Sequence, residues 1–159
     1  MPAAANLKLA PHFTARELGA DDPAATDGIV RNLTSVAAWL EAARAIIGAP
    51  LTVTSGYRTA AHNAAIGGSP TTDHIKGLAA DFVAVGPTPF EVYTRLTQAR
   101  GQLPAFDQLI FYQTDDHVHV GLGLHPAMRS QQLLAAKEAG ATTYEPLTAT
   151  AAERLRGFV

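Results

Sequence analysis

The chain contains no cysteine. That excludes a disulfide framework, a thiolate nucleophile and any Cys-ligated zinc, so a metal in this protein has to be held by His, Asp or Glu. Charge is also sparse: charged residues make up 16%, the formal net charge is −2, and Lys and Arg are scattered rather than striped. The electrostatic footprint of a nucleic-acid or anionic-membrane partner is therefore missing. No window approaches the apolar length needed to span a bilayer, and no low-complexity run occurs. The segment Met1 to Lys8 lacks a charged region followed by a sustained apolar stretch. The expectation is a chain made in the cytoplasm without a signal peptide and without membrane insertion.

What the chain does have is length and apolar content. With 159 residues, 47% of them apolar, it can bury a core without a metal or disulfide staple. Any metal is then expected to serve chemistry before stability. One domain is expected over residues 1–159, with its core at about 11–125 and a C-terminal helical extension over 126–159.

Local patterns sketch the elements. Thr14, Glu17 and Gly19 read as N-cap, capping box and stop of a short helix within His12 to Gly19. From Ile29 to Ile47 apolar residues recur at threes and fours and end at Gly48 and Pro50, a long helix with one buried face. Leu51 to Thr54 alternates like a strand, and Thr59 caps a short helix through Ala65. Leu78 to Val85 reads as a strand, and Thr88, Pro89 and Glu91 open a helix that runs to about Arg100. Phe106 to Tyr112 and His117 to Leu122 form a hairpin around the polar turn 113–116. Met128 to Gly140 reads as a helix, Thr142 to Thr150 as a polar connection and Ala151 to Phe158 as a terminal helix. Antiparallel strands with helices gathered on one side make an α+β fold.

Two stretches carry chemistry. Thr72 to Asp81 supplies an imidazole at His74 and a carboxylate at Asp81, and Asp116-His117-Val118-His119 supplies more. A His, an Asp and a second His form a neutral-nitrogen and anionic-oxygen set that suits zinc with one position open, an enzyme's arrangement rather than a structural clamp's. His117 and His119 share one strand face, with Val118 and Val120 on the other. Taken singly, each of these residues reads as an ordinary surface His or strand-end Asp. It is their grouping around one small sheet that points to a site.

The run Thr72-x-His74-x-x-Gly77-x-Ala79-x-Asp81 resembles the Ser-x-His-x-x-Gly-x-Ala-x-Asp signature of zinc-dependent D-Ala-D-Ala carboxypeptidases and their dipeptidase and endolysin relatives. The likeness continues through Ser55-Gly56-Tyr57-Arg58, His62-Asn63, Phe106-Asp107-Gln108-Leu109-Ile110 and His117-Val118-His119, and so spans about residues 11 to 122. It implies a hedgehog/DD-peptidase-like fold, a small antiparallel sheet with helices mainly on one side. It also implies one zinc ion per chain on His74, Asp81 and His119. His117 would then stabilise charge or shuttle protons, and Arg58 would contact the substrate's carboxylate or polarise its carbonyl, with Ser55 and Tyr57 beside it in substrate binding. Asp116 stands where some relatives carry a general-base carboxylate, three residues before the last ligand. Tyr112 departs from close relatives that carry Glu there, and Asp116 is expected to take over that duty.

The function implied is a zinc metallopeptidase that hydrolyses a peptide bond in bacterial peptidoglycan stem peptides, as a D,D-carboxypeptidase or an endolysin-type endopeptidase. A phage-derived protein that reaches the wall after release by other means fits the expected lack of an export signal. The competing expectation is a non-catalytic, zinc-stabilised cell-wall-binding or phage structural module.

Overall fold

The computed structural model describes residues 1–123 and 128–148. A short ribbon of β1 (Lys8–Ala10) and β2 (Phe13–Thr14) leads to α1 (Ala15–Leu18), the long α2 (Asp27–Ile47), β3 (Leu51–Ser55) and α3 (Ala60–Ala65). A 3-10 turn (Asp73–Lys76) precedes β4 (Ala79–Ala84) and α4 (Pro89–Gln98). The hairpin of β5 (Gln108–Tyr112) and β6 (His117–Gly121) follows, and then a second hairpin of β7 (Gln131–Glu138) and β8 (Ala141–Pro146).

The helix starts follow from their caps. Thr14, Thr26, Thr59 and Thr88 each accept a backbone N–H through the side chain, and Thr14/Glu17 and Thr88/Glu91 close reciprocal capping boxes. Gly19 and Gly48 end α1 and α2 in the left-handed conformation. The α2 pattern buries Leu33, Val36, Ala37, Leu40 and Ala43 along one face. No described helix is long and apolar enough to cross a membrane.

The main sheet has six strands in the order β3-β4-β6-β5-β7-β8. It is mixed: β5 and β7 pair in parallel, the other neighbours antiparallel. The mixed α/β architecture agrees with expectation, but the small antiparallel sheet is corrected to a larger mixed one. The helix expected from Met128 to Gly140 is strand β7, and the expected connection from Thr142 contains strand β8. The C-terminal helical extension is thus a β-hairpin where it is described, and the expected helix from Ala151 to Phe158 lies outside the described residues. Gln, Leu, Ala, Lys and Glu favour a helix locally, but β5 offers an unpaired edge, and satisfying its backbone groups outweighs a propensity worth tenths of a kcal/mol per residue.

The two faces of the sheet have different work. Phe82, Leu109, Phe111, Val118, Val120 and Leu134 are buried in one cluster with Leu33, Val36 and Leu40 of α2 and Val92 and Leu96 of α4. Trp39 anchors this core: its ring meets Phe82 and Phe106 edge-on at 6.3 and 6.1 Å, and its Nε1 donates to the Pro104 carbonyl at 3.2 Å. The residues between them in sequence, Asp81, His117, His119, Ile110 and Tyr112, point to the other face.

Gly77 connects core and site. It ends the 3-10 turn at φ 68°, where L side chains are strained, and a Cβ there would lie 2.9 Å from Ile29 Cγ2 and 3.0 Å from the Ile29 carbonyl oxygen of α2. Asn32 Nδ2, also on α2, donates to the Lys76 carbonyl at 2.8 Å. The turn bearing His74 is therefore seated directly on the long helix. Gly77→Ala is expected to lower stability by about 1–3 kcal/mol in urea denaturation. A loss below about 0.5 kcal/mol would show that the turn tolerates the added methyl.

Candidate metal centre

Asp81 lies on β4, paired directly with His119 on β6 and opposite Ser55 on β3. Its Oδ1 is 2.8 Å from His119 Nδ1, 3.3 Å from His74 Nε2 and 3.7 Å from His117 Nε2. Its Oδ2 accepts from Arg58 Nη2 at 2.8 Å. One carboxylate thus faces imidazoles on one side and a guanidinium on the other. His74, Asp81 and His119 are 2%, 6% and 7% exposed, so their polar atoms depend on one another rather than on water.

Burial by itself would push the Asp81 carboxyl up. Hydrogen bonds from His119 and His74, together with their charge, outweigh burial and hold it well below the ordinary carboxylate range. It is an anion at any working pH.

The second coordination partners are already in place. His74 Nδ1 lies 2.7 Å from the Gly56 carbonyl oxygen, an acceptor that keeps a proton on Nδ1, so that a neutral ring would offer its Nε2 lone pair to a metal. The His74 carbonyl in turn accepts from the Arg58 backbone N–H at 3.2 Å. Gly56 is required by close approach, because a Cβ would collide with the Leu18 carbonyl. The ligand atoms of His74, Asp81 and His119 all lie within 4.8 Å of one another, so the group could hold a metal ion. Two neutral imidazoles and one carboxylate, oriented by a carbonyl and an arginine, fit a zinc donor set.

Arg58 is spent on this support. Its Nε donates to Ser55 Oγ at 2.8 Å and its Nη1 reaches Asn63 Oδ1 at 3.4 Å, in addition to the Asp81 contact. Asn63, 2% exposed, donates from Nδ2 to the Ser69 carbonyl. Ser55 and Arg58 therefore meet the group as positioning residues. Tyr57 packs against the core, its phenol pushed up by burial and by Asp22, and does not line the cleft beside the site.

The expected proton-transfer groups separate. His117 is half-buried, its ring stacked on Tyr112 at 4.7 Å and 14°, and its Nε2 points to Asp81. Asp116 sits in the exposed turn before β6 at φ 50° and makes no hydrogen bond or ion pair with another described residue. The turn diverts it from the face that His117 and His119 share.

Sequence reasoning did not find the cleft. A cavity of about 660 Å³ opens beside His119, with Ile110, Tyr112, Leu133 and Tyr144 among its lining residues. Tyr112 and Tyr144 bring their hydroxyls to 3.1 Å, and burial followed by this contact pushes the Tyr112 phenol up, so it stays protonated. The one available signal was the Tyr112 departure; Tyr144 had none, because it lies in the segment read as a connection.

Arg58→Ala would leave a buried carboxylate without its cation. Breaking such a pair is expected to cost about 3–5 kcal/mol, read from urea denaturation. A cost under about 1 kcal/mol would show that Arg58 is dispensable to Asp81.

No curated protein matches the sequence. Residues 11–121 match the family described as Peptidase M15, a span that begins before β2 and includes Arg58, His74, Asp81, His117 and His119. With that match covering most of its length, the chain belongs to the Peptidase M15 family, the D-Ala-D-Ala carboxypeptidase-like peptidases.

Proposed function

We propose that the protein is a zinc metallopeptidase that hydrolyses a peptide bond in the stem peptides of bacterial peptidoglycan, a phage-derived enzyme that acts on the wall after release by other means than an export signal. The observation that carries this reading is the buried His74–Asp81–His119 group, with ligand atoms within 4.8 Å, at the edge of a cleft in a chain of a peptidase family. His74, Asp81 and His119 would hold one zinc ion. When bound, zinc supplies Lewis acidity to a carbonyl oxygen and acidifies water.

The chain's own residues supply the rest. Arg58 holds the Asp81 carboxylate in place, and the Gly56 carbonyl holds the His74 tautomer. His117 is the group placed to hold and pass a proton at Nε2, its ring kept in orientation by Tyr112. The Tyr112 hydroxyl, kept protonated by burial, offers a hydrogen-bond donor toward the cleft.

A second reading has one observation in its favour. Tyr112 stands where close relatives carry Glu, and Asp116 is turned out to solvent, so neither position expected to supply the base brings a carboxylate to the group. A zinc-stabilised wall-binding module would tolerate that loss.

Digestion of purified peptidoglycan with product analysis separates the two, because release of stem-peptide fragments requires the peptidase. Zinc bound at about one per chain without any product would favour the module. His74→Ala, Asp81→Ala and His119→Ala are each expected to lose zinc on dialysis, read by elemental analysis; retention in all three would overturn the ligand assignment. His117→Ala is expected to keep its zinc and lose about 100-fold or more in kcat. A fall of that size in Asp116→Ala instead would return the base to the carboxylate.

A further inference from the structure

The C-terminal hairpin lies beyond residues 11–121, the segment matched to the family, yet it completes the face on which the candidate site stands. Strand register makes this explicit. Asp81 pairs with His119, His119 with Ile110, Ile110 with Leu133 and Leu133 with Pro146. In the adjacent row His117 pairs with Tyr112, Tyr112 with Ala135 and Ala135 with Tyr144. Directly paired residues point to the same side of a sheet, so both rows continue the site's face out to the edge strand.

Ala135 explains how the outer wall forms. It is fully buried between two tyrosines, and its small side chain lets their rings close over it. Tyr112 and Tyr144 meet edge-on at 6.2 Å and 87°, with their hydroxyls 3.1 Å apart. Tyr144 is still 52% exposed, so its ring stands at the cleft rather than in the core. The result is a floor of Ile110 and Leu133 ending at an aromatic wall, with His119 at the opposite end.

The span sets a length. From β6 to β8 is three strand spacings of ~4.8 Å, about 14 Å, which an extended chain at ~3.3 Å per residue crosses with about four residues. The cavity of about 660 Å³ is likewise larger than a dipeptide needs and falls within the ~300–1,000 Å³ of ordinary ligand clefts.

We propose that the β7–β8 hairpin is a length-selecting subsite: an extended peptide runs from the His74–Asp81–His119 group across Ile110 and Leu133 to Tyr144. The substrate class is then a peptide with about four residues on one side of the scissile bond rather than a free dipeptide. This rests on the peptidase reading and narrows it. Aromatic and aliphatic floor residues supply the affinity, since a few such contacts dominate binding in most interfaces.

The test uses the zinc-loaded full chain and reduced-bond analogues that cannot be cut, D-Ala-D-Ala and L-Ala-γ-D-Glu-L-Lys-D-Ala-D-Ala, titrated by calorimetry. The longer analogue is expected to bind about tenfold tighter or better, and Tyr144→Ala and, separately, Leu133→Ala to bring the two within about threefold. Circular dichroism confirms the fold of each variant. Equal affinity in the unaltered chain, no binding of the longer analogue, or an advantage that survives both substitutions would overturn the subsite. Hydrolysis of the corresponding native peptides is scored separately. Length-dependent binding with no cleavage would sink the peptidase reading and leave the subsite standing, whereas cleavage without length dependence would do the reverse.

Discussion

The Asp81 carboxylate is the constraint on which the site is built. A buried anion is tolerated only when its charge is neutralised and its lone pairs are used, and Asp81 meets both conditions with Arg58 on one oxygen and imidazoles on the other. Each partner arrives from a different part of the chain. Arg58 comes from the loop after β3, His74 from the 3-10 turn seated on α2, and His119 from the neighbouring strand β6. The carboxylate therefore ties together three segments distant in sequence, and a metal bound there would find its ligands already oriented.

The sheet makes this economical by dividing its faces. Strand alternation sends Phe82, Val118 and Val120 into the helical core and Asp81, His117 and His119 to the opposite side. Core packing then fixes the backbone to which the polar residues are attached. The site's rigidity is inherited from hydrophobic contacts that never touch it, which is the usual requirement for holding a catalytic constellation in place.

The same alternation carries the site's face beyond the family segment. Once β7 lays itself along β5 in parallel, Leu133 and Ala135 fall into step with Ile110 and Tyr112, and β8 adds Tyr144. Asp107 secures this arrangement at its start: Arg129 donates to both its carboxylate oxygens, at 2.8 and 2.6 Å, just before β7 begins. A cleft thus arises from strand pairing together with one ion pair, and the Tyr112 hydroxyl meets that of Tyr144 at its outer wall.

Much was legible in the sequence because it was local. Thr caps, the Glu17 and Glu91 capping boxes and the glycine stops depend on neighbours three or four residues away, and each lies where its spacing places it. His74, Asp81 and His119 could be named from a spaced motif whose residues the fold then brings together. Tertiary structure alone decided the rest. Gln131 to Glu138 carries helix-forming residues yet becomes a strand because the open edge of β5 needs a partner, a demand set by residues more than twenty positions away. Asp116 stands beside His117 in sequence but leaves the site because the turn backbone reverses there, whereas Tyr144, distant in sequence, joins the cleft. Local signals fix how a segment folds, and only the pairing of distant segments fixes which side chains share a face.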